Sequence, residues 1–144
     1  MHAMTRQRFL QQYTNTNVQT AVESATPHRL VQMLYEGALD RIAQAKGAMM
    51  RKDFEAKARL TNRVIDILSS LRAGLDLEKG GDVASNLEAL YGFMIEQVYK
   101  ASRHNSPDML EETAEILRTV KAGWDEMPEE FRKMRKEQID RLAA

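Results

Sequence analysis

Apolar residues recur at three- and four-residue steps through most of the chain, which is the spacing of one face of an α-helix. The pattern begins directly after Thr26-Pro27. Threonine is a good helix N-cap, and proline suits the first helical position because its missing N–H is not needed there. No segment alternates in the manner of a β-strand. The sequence therefore predicts an all-α protein with four apolar stripes, over residues 31–49, 60–75, 83–101 and 110–124.

Capping residues and glycines predict the helix boundaries. Asp53 is the expected N-cap of the second helix, which we expect to run to the Gly80-Gly81 pair, where glycine tolerates the backbone of a helix end. Asp82 is the expected N-cap of the third helix. Ser106-Pro107 repeats the first pattern and opens the fourth. Helices of about twenty residues joined by short loops predict an antiparallel up-and-down four-helix bundle over residues 26–127.

The two ends of the chain differ from this bundle. Residues 1–25 include the polar stretch QQYTNTNVQT and show no apolar periodicity, so we expect an N-terminal arm that is extended or loosely helical. Residues 128–144 are highly charged, and we expect a short C-terminal helix or tail. Only four side chains of this segment are suited to docking it: Phe131, Met134, Ile139 and Leu142.

Composition narrows the classes of function. The 144 residues fit one domain, and 21 basic against 21 acidic residues give zero net charge, which argues against a general nucleic-acid or anionic-membrane binder. The absence of cysteine excludes a disulfide framework, a thiolate zinc site and an iron–sulfur cluster. No apolar run reaches the ~18 residues of a membrane span. We therefore expect a cytoplasmic protein with no membrane insertion.

Groups suited to catalysis are few. His2 precedes the helices, and we expect His28 and His104 to be exposed in surface or capping positions near helix ends. A di-iron bundle needs the motif Glu-x-x-His, which does not occur here. Gly80-Gly81 lacks the pattern of a phosphate-binding loop, so we expect it to be a structural turn. The residues form no combination of acid, base and nucleophile that would predict an enzyme.

The second and third helices carry more apolar residues than one stripe requires. A helix in a four-helix core uses a face of about 100°, so a wider apolar face must be covered. The residues alone leave four ways to cover it: the N-terminal arm, the C-terminal segment, another copy of the chain, or a partner helix in a groove. The additional residues are Ile65, Leu68, Leu77, Tyr91, Ile95 and Tyr99.

Between Tyr13 and Trp124 the chain resembles the flagellin-specific export chaperones, the FliS family. The resemblance rests on VESATPHRLVQMLYEGAL (residues 22–39), AGLDLEKGGDVASNLEALYGFM (residues 73–94) and Ala122-Gly123-Trp124. It implies an antiparallel four-helix bundle with a short extra helix, and neither catalytic activity nor a cofactor. It also implies a cytoplasmic chaperone that binds the disordered C-terminal region of flagellin. Such a chaperone blocks premature polymerisation and helps deliver flagellin to the gate of the flagellar type III export apparatus.

The resemblance further implies a cap over the client site. In the family, an arm with an aliphatic residue and a tyrosine three positions apart lies over an apolar cleft, and flagellin can take its place; Leu10 and Tyr13 match that spacing. For Tyr91 and Met94 a core position is an equally good interpretation. The alternative class of function is a self-associating helical module, in which a homodimer covers the apolar surplus. We expect the cleft to include residues beside the core stripes of the second and third helices: Ile65, Leu68, Leu87, Tyr91, Met94 and Ile95.

Overall fold

The computed structural model describes residues 24–128 and residue 130. Within that part of the chain there are four α-helices and no strand, which confirms the predicted all-α class. Most of the predicted arm, including Leu10 and Tyr13, and most of the predicted C-terminal segment lie outside the described residues. The helices are α1 (Pro27–Met50), α2 (Phe54–Ala73), α3 (Leu77–His104) and α4 (Pro107–Asp125).

Three helix starts lie where the sequence predicts them. The side chains of Thr26, Asp53 and Ser106 each accept a hydrogen bond from the backbone N–H three residues further on. Each bond satisfies one of the first-turn donors that have no partner within the helix. Pro27 and Pro107 occupy the first position of α1 and α4. These predictions are confirmed.

The predicted boundary between the second and third helices is wrong. α2 ends at Ala73, well before the Gly-Gly pair. Asp76, rather than Asp82, is the N-cap of α3 and accepts a hydrogen bond from the backbone N–H of Lys79. The apolar stripe continues through Leu75 and Leu77. The end of α2 was therefore hidden in the sequence, because the stripe does not stop where the helix does.

Gly81 kinks α3 after its first turn, so a break is present at the predicted Gly80-Gly81 pair, but it lies within α3 and does not end the second helix. Gly81 has φ 55° and ψ −135°, a conformation that glycine adopts readily and other residues avoid. A Cβ on Gly80 would lie 2.6 Å from the Cβ of Ala84, so that position also requires glycine. The kink changes which face is buried: Ala84 is buried, whereas Val83, which the stripe places in the core, is exposed.

The four helices form a closed ring around one apolar core. α1 packs against α2 and α4, and α3 packs against the same two helices. Short connections reverse the chain between successive helices, which gives the predicted up-and-down order. The largest fully buried side chains come from all four helices: Tyr35, Ile42, Met49, Leu68, Met94, Leu110 and Leu117.

A pair of buried tyrosines crosses this core from α1 to α3. The hydroxyl oxygens of Tyr35 and Tyr91 lie 2.6 Å apart, so one hydroxyl donates a hydrogen bond to the other. Burial raises the pKa of both phenols above the ordinary value, because an ionised phenolate is poorly solvated there. Both side chains are therefore neutral, and the pair satisfies polar groups that would otherwise be costly in an apolar core.

His28 and Trp124 join the start of α1 to the end of α4. The prediction that His28 is exposed is wrong: its ring is buried and stacks on Trp124, with centroids 5.0 Å apart and an interplanar angle of 7°. His28 Nε2 lies 2.7 Å from the carbonyl oxygen of Trp124, which can only accept, so Nε2 carries the proton. Trp124 Nε1 donates in return to the carbonyl of His28 at 3.0 Å. This His28–Trp124 clamp unites two of the segments that resemble the FliS family.

Candidate functional site

The predicted cleft lies along the line where α2 and α3 meet, which we call the α2–α3 seam. Two contacts fix its antiparallel register. Lys57 Nζ donates to the carbonyl of Ser102 at 2.8 Å, and a guanidinium nitrogen of Arg72 lies 3.5 Å from the position of a Cβ on Gly92. Ile65 is about midway between Lys57 and Arg72 on α2, so it is level with the stretch of α3 between Ile95 and Tyr99.

All six predicted cleft residues belong to, or pack against, one hydrophobic cluster. Ile65 and Ile95, at 9% and 8% exposure, keep a little surface at the seam, and Leu87 is half-buried near the start of α3. The other three side chains are fully enclosed in the core. Leu68, Tyr91 and Met94 therefore have almost no exposed surface that a partner could contact, and they belong to the core beneath the seam.

Aromatic side chains stand at the edge of the seam. Tyr99 lies one helical turn after Ile95 and therefore shares its face, and more than half of its surface is exposed. Phe54, at the start of α2, is similarly exposed, and Lys57 Nζ lies 4.9 Å from its ring centroid in a cation–π contact. Tyr99 is one of the additional apolar residues that the sequence predicts, whereas Phe54 is not, because it precedes Leu60, the first residue of the predicted second stripe.

The face between α1 and α2 is more polar. Asp40 and Arg41 of α1 and Arg59 and Arg63 of α2 border an open groove there. Arg41 donates to the carbonyl of Gly37 at 3.0 Å. The other side of α2, at the α2–α3 seam, is the more apolar of the two faces.

Glu111 is the carboxylate whose pKa is most clearly perturbed among the described residues. It accepts hydrogen bonds from Arg118 at 2.8 Å and from Lys46 at 2.6 Å. These two donors, Arg118 first, lower its pKa from the ordinary 4.5 to about 2. Because Lys46 is on α1 and the other two residues are on α4, this network links neighbouring helices. Glu111 remains ionised and is not available as a general base near neutral pH.

The described residues provide no site for a metal ion. Over residues 24–128 and residue 130, no three His, Asp or Glu side chains form a group that could hold one. None of the described helices combines the length and the apolar character that a bilayer span requires.

Comparison with known proteins identifies the family of this chain. Residues 9–130 match the family described as Flagellar protein FliS. The chain is 41% identical to the flagellar secretion chaperone FliS of Vibrio cholerae over 122 residues, which cover 85% of this chain and 90% of that protein. It is also 41% identical to the flagellar secretion chaperone FliSB of Pseudomonas aeruginosa, over 87% of this chain and 97% of that protein. The FliS of Salmonella typhimurium is 35% identical, over 80% and 86% of the two chains.

Proposed function

This chain belongs to the FliS family of flagellar secretion chaperones, and from that premise we propose that its client is flagellin, bound through its disordered C-terminal region. As a member of a chaperone family, the protein is not an enzyme. Binding takes place in the cytoplasm and prevents premature polymerisation. It also keeps the client ready for delivery to the type III export apparatus, whose gate is the second partner.

The apolar α2–α3 seam is the observation that carries this proposal. The rings of Phe54 and Tyr99 are exposed beside it, and Ile65 and Ile95 keep a small part of their surface exposed. An apolar surface between two helices can receive the apolar face of an amphipathic helix and leave the polar face of that helix in water. A flagellin tail that is helical in the filament exposes such apolar faces while it is monomeric, and the seam covers them.

Binding a disordered client favours moderate affinity even over a large interface. The client loses conformational entropy when it becomes ordered, and this cost offsets part of the gain from apolar burial. Moderate affinity in turn favours release at the export gate. We expect binding of the client to show a negative heat-capacity change, which is the signature of apolar burial.

Leu10 and Tyr13 of the N-terminal arm act as a cap over the seam when no client is present. Such a cap lowers the apparent affinity for the client by the fraction of molecules that are open. It also reduces the apolar surface that an empty chaperone exposes to water. This part of the proposal rests on the spacing of the two residues and on the family, since both lie outside the described residues.

Calorimetric titration with a C-terminal flagellin fragment tests the proposal, and α3 offers a matched pair of variants. Tyr99 and Phe93 are both aromatic, both 54% exposed and both on α3. Tyr99 lies beside the α2–α3 seam, whereas Phe93 lines a groove on the α4 side. We expect Tyr99→Ala to weaken one-to-one binding about tenfold and Phe93→Ala to leave it unchanged. Absence of binding by the wild-type chain, or equal losses in both variants, would overturn the proposal.

Two further measurements separate the role of the arm from self-association. Tighter client binding by Leu10→Ala/Tyr13→Ala identifies the arm as a competing cap, whereas weaker binding makes it part of the site. Light scattering tests the alternative that a homodimer covers the seam. A dimer that persists on dilution and does not dissociate with client would favour that alternative.

A further inference from the structure

A second groove lies on the opposite flank of α3 from the seam. We call it the α3–α4 groove, and its volume is about 180 Å³. The exposed ring of Phe93 and the half-buried side chain of Met109 supply its apolar surface. A molecule bound here lies on a different flank of α3 from a client at the seam. The lining residues are Phe93, Glu96, Gln97 and Lys100 of α3 and Met109 of α4.

Gln97 brings an acceptor without a donor to this groove. The side chain is nine-tenths buried, and its Nε2 donates to Glu112 Oε2 at 2.8 Å. That bond fixes the orientation of the amide, because a carboxylate oxygen can only accept. The amide oxygen Oε1 is buried and has no hydrogen-bond partner within residues 24–128 and 130. Buried acceptors are nearly always satisfied in native proteins, so the groove lacks a donor.

The charges around the groove favour a cationic donor. Glu112 forms no ion pair within the described part of the chain, and Glu96 adds a second carboxylate to the lining. Lys100 also lines the groove, but over residues 24–128 and 130 it donates to neither Glu112 nor Gln97 Oε1. The exposed side chains of Glu96 and Lys100 can turn aside rapidly for an occupant. A guanidinium carries five N–H donors, so one arginine can bond to the carboxylate and to the amide oxygen together.

The order of these groups along the bundle defines the spacing within an occupant. The bond between Gln97 and Glu112 sets the register of α3 and α4, so Phe93 is level with the half-buried Ile116. This apolar level lies about 6 Å from the two acceptors along the helix axis, at about 1.5 Å per residue. Met109, three residues before Glu112, lies about 5 Å from them in the opposite direction. The groove thus alternates apolar, acceptor and apolar surface over about 10 Å.

We propose that the α3–α4 groove binds an amphipathic helix of a second protein, in which an arginine lies between two aliphatic residues on one face. Aliphatic, arginine and aliphatic side chains at positions i, i+4 and i+7 span about 10 Å and fall within an arc of about 60°. They therefore meet the two apolar levels and the acceptors at once. Because the seam is on the other flank of α3, this second partner can bind whether or not a client is present.

A synthetic helical peptide and the full-length chain test this proposal. The probe is an alanine-based peptide of about fifteen residues, long enough to populate a helix, with leucine, arginine and leucine at positions i, i+4 and i+7. In the matched control peptide, citrulline replaces arginine, which keeps the shape of the side chain and removes its charge. Fluorescence anisotropy should show one-to-one binding of the arginine peptide that is about tenfold tighter than that of the citrulline peptide.

Variants of the chain locate the bound peptide. Phe93→Ala and Glu112→Gln, which replace exposed side chains, should each weaken binding of the arginine peptide about tenfold. Tyr99→Ala, whose side chain is as exposed as Phe93 but lies on the seam flank, should leave it unchanged. Circular dichroism checks that each variant is folded, and the comparison of the two peptides requires no variant. Client binding should respond to the two aromatic substitutions in the reverse manner, so this proposal and the proposed function can fail separately.

Several results overturn the proposal. They are no binding of the arginine peptide to the wild-type chain, equal affinity for the two peptides, and equal losses in Phe93→Ala and Tyr99→Ala. Light scattering provides one more test. A homodimer that dissociates as the peptide binds makes a second copy of this chain the occupant of the groove, and it overturns the assignment to another protein.

Discussion

Removing one hydroxyl group from the core should destabilise the bundle far more than removing two. The hydroxyls of Tyr35 and Tyr91 are both buried and lie 2.6 Å apart. Tyr91→Phe keeps the ring and its packing but leaves the hydroxyl of Tyr35 without its partner. Tyr35→Phe does the reverse. The double substitution removes both polar groups and leaves two apolar rings of nearly the same shape.

The magnitudes follow from the cost of an unsatisfied buried polar group. Each single substitution should reduce the free energy of unfolding by about 1–3 kcal/mol, because the remaining hydroxyl is desolvated without a hydrogen bond. The double variant should be destabilised by less than about 1 kcal/mol, since replacing both partners with apolar groups can be nearly neutral. Tyr91→Ala is a poorer probe, because the cavity that it creates adds a cost of its own.

Urea denaturation of the four proteins, followed by far-ultraviolet circular dichroism, measures these differences. With a slope of about 1–3 kcal/mol per molar urea for a small protein, a loss of 2 kcal/mol shifts the midpoint by about 1 M. The slopes should be equal in all four proteins, so that midpoint shifts report stability alone. A double variant whose loss equals the sum of the single losses would refute the reasoning, because the two hydroxyls would then be independent.

Four other substitutions test further features of the fold. His28→Ala removes the stack and one hydrogen bond from the clamp and should lower the free energy of unfolding by about 2 kcal/mol; urea denaturation followed by the fluorescence of Trp124 measures this, and an unchanged midpoint contradicts it. The depressed pKa of Glu111 contributes stability above about pH 4.5 that is lost as the pH falls towards 2. Glu111→Gln should therefore flatten the acid denaturation profile in that window, and a profile parallel to that of the wild type contradicts the assignment. Gly81→Ala, at φ 55°, should destabilise by about 1–2 kcal/mol, whereas Gly123→Ala, in open space within α4, should stabilise by about 0.5–1 kcal/mol; melting temperatures that move in the same direction contradict this.

The sequence predicts the fold well where the controlling interactions are local. Thr26, Asp53 and Ser106 were identifiable as N-caps because a cap bonds to the backbone three residues away. The end of α2 at Ala73 was not identifiable, because apolar residues continue through the connection and their periodicity conceals the stop. In this part of the chain the N-cap Asp76 determines where α3 begins, and the backbone freedom of Gly81 determines where it bends. The pattern of apolar residues indicates neither position.

The sequence predicts which two helices border the candidate site, but not which of their side chains are exposed there. An excess of apolar residues on two helices indicated the α2–α3 seam, and six expected residues do lie in or against one cluster. Their exposure depends on how each helix is rotated against its neighbours. That rotation places Leu68 and Met94 in the core and leaves Phe54 in solvent. His28 was misassigned for a related reason, since its partner lies 96 residues away in the sequence.

That separation also has a consequence for the folding kinetics. Contacts between successive helices close short loops, whereas the His28–Trp124 clamp closes almost the whole bundle and requires the largest loss of chain entropy. We therefore expect the clamp to form after the rate-limiting step. Interactions that are absent from the transition state change the unfolding rate and leave the folding rate nearly constant. The clamp thus governs how long the folded bundle persists rather than how fast it forms.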